Sequence, residues 1–112
     1  MSRRLEIDFL FWKECPSYPK ALERLQKVLN DRGLQAEIRH VEVKSEEDAV
    51  KWRFTGSPTI RINGRDIDPK MSGDQPYRLT CRVYYNPEGR PTPVPTEDMF
   101  HEYLNHALSK ET

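Results

Sequence analysis

Leu5, Ile7, Phe9 and Phe11 alternate with Glu6 and Asp8, and then Leu10 and Trp12 turn the second face apolar as well. That switch predicts a strand half-buried at its start and covered on both sides at its end. From Tyr18 the period lengthens. Tyr18, Ala21, Leu22, Leu25, Val28 and Leu29 recur at spacings of three and four, predicting an amphipathic helix with Ser17 as its cap and Gly33 as its terminator. Ala36 to Val43 reads as a second strand through Ile38, Val41 and Val43. Ser45-Glu46-Glu47-Asp48 reads as a capping box opening a short helix through Ala49, Val50 and Trp52, closed at Thr55-Gly56. Two successive β-α units predict a parallel strand pair.

After Pro58 the period returns to two. Thr59-Ile60-Arg61-Ile62 followed by Asn63-Gly64 is a strand running into a tight hairpin. The return strand is either immediate, at Arg65-Asp66-Ile67, or delayed until Leu79-Thr80-Cys81-Arg82-Val83-Tyr84-Tyr85 after a loop through Pro69 and Pro76. The second segment is expected to be the longer strand, with Leu79, Cys81 and Val83 on its apolar face. Asn86 to Pro95 holds four prolines and reads as an extended connector. Thr96 then caps a final helix with Met99, Phe100, Tyr103, Leu104, Ala107 and Leu108 on one face.

The chain's 112 residues suit one domain, 1–112, with one core. Eighteen basic and eighteen acidic side chains cancel and are interspersed, so there is no basic stripe and no nucleic-acid partner is expected. No apolar run approaches ~20 residues, and Glu6 and Asp8 interrupt any signal-peptide core behind Arg3-Arg4, so neither membrane insertion nor export is expected and a cytoplasmic location is. Two cysteines far apart in sequence form no zinc-type cluster. In a reducing compartment both would rest as free thiols. His101 and His106, five apart on one helix, and His40 make no metal site.

Cys15-Pro16 stands where the first strand gives way to the first helix. Free backbone N–H groups and the positive end of the helix dipole favour an anion there, so Cys15 is expected to have a lowered pKa and an open, nucleophilic sulfur. Lys13 and Glu14 beside it roughly cancel. The plain alternative is a small half-buried apolar residue at a turn.

The element order, with a cysteine after the first strand and an X-Pro before the third, resembles the thioredoxin-like superfamily across nearly the whole chain. Phe11-Trp12-Lys13-Glu14-Cys15-Pro16-Ser17-Tyr18 resembles its active-site segment, and Ser57-Pro58-Thr59-Ile60-Arg61-Ile62-Asn63-Gly64 resembles the glutaredoxin stretch whose proline is cis. Cys81-Arg82-Val83-Tyr84 is similar to the late Cys-Arg-x-Tyr of small bacterial thioredoxin-like proteins with a single Cys-Pro. The resemblance implies an α/β fold, a three-layer α/β/α arrangement around a mixed four-stranded sheet in the order β-α-β-α-β-β-α. It implies Cys15 as the catalytic thiol, with Pro16, Ser57, Pro58 and Thr59 positioning the incoming sulfur.

Tyr18 occupies the place of the family's second cysteine, which excludes two-thiol chemistry within the motif. A single thiol still works if an external thiol resolves the mixed disulfide. The partner is then a small thiol or a protein disulfide, and no cofactor is needed. Glutathione is the co-substrate the resemblance suggests, although Asp68-Pro69 stands where glutaredoxins have Gly-Gly. The alternation around Cys81 favours a buried, inert cysteine. The alternative is that it resolves a Cys15 disulfide, which requires Cα atoms within ~7 Å. Two rival functions are a non-catalytic binding module plugged by Tyr18, and a soft-metal thiol site for mercury or copper(I).

Overall fold

The structure is a computed structural model and describes residues 4–69 and 76–109. The middle of the insertion between Gly64 and Leu79 therefore lies outside the described residues, as do Met1-Ser2-Arg3. Strand β1 (Leu5–Phe11) lies at the centre of a four-stranded sheet. It pairs in parallel with β2 (Ala36–Glu42) and antiparallel with β3 (Thr59–Ile62), while β4 (Arg65–Asp66) returns along β3. The order is β2-β1-β3-β4. Helices α1 (Tyr18–Asp31), α2 (Glu46–Trp52) and α3 (Glu97–Ser109) complete the α/β arrangement. No helix among the described residues is long and apolar enough to cross a membrane.

The period of two along β1 divides the core into two. Leu5, Ile7 and Phe9 face one cluster with Leu25 and Val28 of α1 and Phe100 and Leu104 of α3. Leu10 points the other way, into Val43, Phe54 and Ala49 of α2. Two helices thus cover one face and one the other, and the end of β1 is buried on both sides as its pattern predicts.

Local signals fix the ends of most elements. Helix α1 stops in a Schellman arrangement, with Gly33 at φ 63°, its N–H bonded to the Asn30 carbonyl and the Leu34 N–H to the Leu29 carbonyl. The side chains of Ser45 and Thr96 accept from the Asp48 and Met99 amides and start α2 and α3. Asn63 and Gly64, both at positive φ, make the two-residue turn between Ile62 and Arg65.

Three expectations change. The return strand is the immediate one, two residues long, and the delayed segment does not join the four-stranded sheet, its Cys81 making only an isolated parallel bridge to Ser57. Within Asn86–Pro95 the chain doubles back, so that β5 (Tyr84–Tyr85) pairs with β6 (Pro91–Thr92) in a separate hairpin. Helix α2 ends at Trp52, closed by Arg53 in the left-handed region rather than by Gly56. Gly56, at φ 126°, is needed for space as well as conformation: a Cβ there would lie 2.9 Å from Cβ of Arg82 and 3.0 Å from its backbone.

Candidate functional site

Beyond β1 the chain folds back in a tight turn closed by the Cys15 N–H on the Trp12 carbonyl. The turn drives the thiol inward, and Cys15 has 0% of its surface accessible. The expectation of an open sulfur is therefore overturned. Helix α1 begins only at Tyr18, so Cys15 precedes the helix cap by two residues, and the backbone amide that reaches its sulfur is that of the cap itself, Ser17. Ser17, expected to cap α1, makes no capping bond with its side chain; its hydroxyl lies 3.2 Å from the Cys15 sulfur instead.

The second wall of the site is the Ser57–Pro58 loop, whose peptide bond is cis. The Ser57 carbonyl lies 3.6 Å from Cys15 Sγ and is its acceptor when the sulfur keeps its proton. The Ser57 hydroxyl accepts from the Trp12 amide at 3.0 Å, tying the loop to the end of β1. Pro58 is buried, and its carbonyl accepts from the Tyr84 hydroxyl at 2.7 Å. Thr59 turns its hydroxyl back to the Gly56 carbonyl, so it does not face the sulfur. Pro16 lies exposed at the surface. Tyr18 stacks on Phe11, with ring centroids 4.6 Å apart.

The third wall is Cys81, and here the expectation of burial is corrected. Cys81 is exposed, and its Sγ lies 2.6 Å from that of Cys15. Two sulfurs placed side by side in this way are within reach of a disulfide, which a two-electron oxidation would close. Of the expected apolar face, Leu79 packs on the cluster around Leu10 and Phe54, but Cys81 and Val83 turn outward because Arg82 and Tyr84 take the inner positions. Arg82 is 4% accessible, while Val83 is 47% and Tyr85 61%.

An arginine sits inside because its charge is matched. Its two terminal nitrogens each lie 2.8 Å from a carboxylate oxygen of Asp66 on β4, and its guanidinium lies 4.3 Å from the Tyr84 ring centre. Only its Nε lacks a partner among the described buried side-chain polar atoms. Backbone bonds lash the same segment to the proline loop: the Ser57 N–H to the Thr80 carbonyl at 2.8 Å, and the Arg82 N–H to the Ser57 carbonyl at 2.9 Å. Cys81 is thereby held between two fixed neighbours.

The pair shares its charge unequally. Burial disfavours a Cys15 thiolate, but hydrogen bonds from Cys81, from the hydroxyl and amide of Ser17 and from Ser57 outweigh that cost and lower its pKa. For Cys81, desolvation of the sulfur, its hydrogen bond to Cys15 and the nearby negative charge push the pKa up to about 11. The first proton lost belongs to the pair and leaves the charge on Cys15.

The structure therefore brings Ser17, Ser57 and Cys81 to the Cys15 sulfur, with the cis bond to Pro58 shaping the loop, while Pro16 is exposed and the Thr59 hydroxyl is engaged by the Gly56 carbonyl. The sequence reading missed Ser17 as the sulfur's partner, and Asp66, Arg82 and Tyr84 as the residues that hold Cys81. Cys-Arg-x-Tyr marked two of those three; nothing in the sequence marked Asp66. The described residues contain no cluster of three or more metal-ligating side chains.

Compared with known proteins, the chain matches one family model, described as Domain of unknown function (DUF2703), over residues 16–101. Neither the curated proteins nor the solved structures contain a match.

Proposed function

The chain belongs to the DUF2703 family, and we propose that it performs thiol-disulfide exchange through a redox pair formed by Cys15 and Cys81. The observation that carries this reading is the 2.6 Å separation of two sulfurs 66 residues apart. Unlike a lone thiol, such a pair needs no external resolving thiol. In the reductive direction one protein thiolate attacks a substrate disulfide, forming a mixed disulfide and expelling one substrate thiolate. The second protein sulfur then attacks the mixed disulfide and expels the other. Two electrons and two protons pass to the substrate, and the Cys15–Cys81 disulfide remains. A relationship to the thioredoxin-like superfamily is supported by the mixed sheet, the cysteine after β1 and the cis proline before β3.

A redox titration in glutathione buffers tests this. Two free thiols per chain should vanish together at one midpoint, and Cys15→Ser or Cys81→Ser should each abolish the transition. A chain that keeps both thiols in fully oxidised glutathione would refute the reading and leave the binding module in its place. The adjacent sulfurs also favour the soft-metal reading, since two thiolates suit copper(I) or mercury(II). Tight 1:1 uptake lost in both serine variants is its mark.

A further inference from the structure

We infer that substrate is held on Cys81, and that Cys15 is the sulfur that leaves when the protein disulfide is opened and returns when it closes. The inference rests on the exchange reading above and assigns its two roles in the reverse of the order that the strand-to-helix position of Cys15 suggests. Access decides the matter first. A thiolate must reach a sulfur to attack it; Cys15 has none of its surface open, enclosed by Ser17, Ser57 and Cys81, whereas Cys81 is exposed. The flanking exposed side chains, Val83 and Tyr85, lie on an open side of the molecule, while Arg82 and Tyr84 anchor the opposite side.

The leaving group points the same way. Exchange is faster when the expelled sulfur is the better-stabilised thiolate, and Ser17 stands beside Cys15 to receive that charge. An external thiolate R–S⁻ attacks Sγ of Cys81, the Cys81–Cys15 bond breaks, and the bonding pair departs on Cys15. The products are R–S–S–Cys81 and a Cys15 thiolate. A second R–S⁻ then attacks the R sulfur, releasing R–S–S–R and the Cys81 thiolate. Without the second thiol, Cys15 attacks Cys81 again, expels R–S⁻ and restores the starting disulfide.

The test uses the oxidised wild-type chain, opened briefly with glutathione, quenched with acid, alkylated and mapped by peptide mass spectrometry. Glutathione on Cys81 with alkylated Cys15 is the expected result; glutathione on Cys15 overturns the assignment while leaving the exchange reading intact. A wild-type chain that never forms the protein disulfide takes down both. The single-cysteine variants give a second measurement, with oxidised glutathione as the probe. Cys81 in Cys15→Ser should form its adduct at least roughly tenfold faster than Cys15 in Cys81→Ser, because serine keeps the buried sulfur covered. Equal rates, or a faster Cys15, would also overturn the assignment.

Discussion

Cys15 and Cys81 sit 2.6 Å apart yet reach that point by opposite routes. Cys15 is delivered by neighbours in sequence: the end of β1, a four-residue turn and the cap of α1. Cys81 lies in a segment with almost no regular structure of its own, and is delivered by Ser57, Pro58 and Asp66, each at least fifteen residues away. One half of the site is thus built by local rules and the other by tertiary contacts. It follows that the two halves should respond differently to substitution.

The largest effect should come from the buried ion pair. Asp66→Asn leaves the Arg82 guanidinium buried without its counter-charge, so a loss of about 3 kcal/mol or more is expected in denaturant unfolding, with a shift in the Cys15–Cys81 redox midpoint. Unchanged stability would show that the arginine is not what holds Cys81. Gly56→Ala comes next, at roughly 2–3 kcal/mol, because it combines an unfavourable φ with a collision against the Arg82 backbone. Tyr84→Phe removes only the hydroxyl that binds the Pro58 carbonyl, and a cost of about 1 kcal/mol should appear in the same unfolding measurement.

The smallest stability effect should be on the local side. Ser17→Ala removes no helix-capping bond, so stability should change by less than about 0.5 kcal/mol, while the pH profile of thiol alkylation moves upward as Cys15 loses a partner. An unshifted profile would remove Ser17 from the site. The two cysteines should also oppose each other in pH dependence. Cys15, with its folded pKa lowered, adds stability above the ordinary cysteine value of about 8.5 and loses it as pH falls through its folded pKa. Cys81, with its folded pKa raised, adds stability below ~8.5 and loses it as pH climbs to about 11. The stability difference between reduced and oxidised chains, which cancels the tyrosines and lysines, should therefore shift toward the reduced form up to about pH 8.5 and away from it above.

How far each part was readable follows the same division. Strand β1, the three helices and the Asn63-Gly64 turn carry their instructions within a dozen residues, as periodicity, caps and positive-φ positions. The segment from Leu79 to Tyr85 also alternates, but alternation tells which side chains share a face and not which face is buried. Arginine is normally exposed, which by itself favours Arg82 on the outer face. Asp66 and the Pro58 carbonyl reverse that preference, and both are remote in sequence.

The sequence by itself determined an α/β chain with a cysteine at its first strand-to-helix connection and a proline loop ahead of its third strand, since these depend on short-range patterning. Tertiary structure alone decided that Cys15 is enclosed, that Cys81 lies against it, and that one sulfur faces solvent while the other does not. Those outcomes depend on charge matching and hydrogen bonds between segments that only folding brings within a few ångströms of each other.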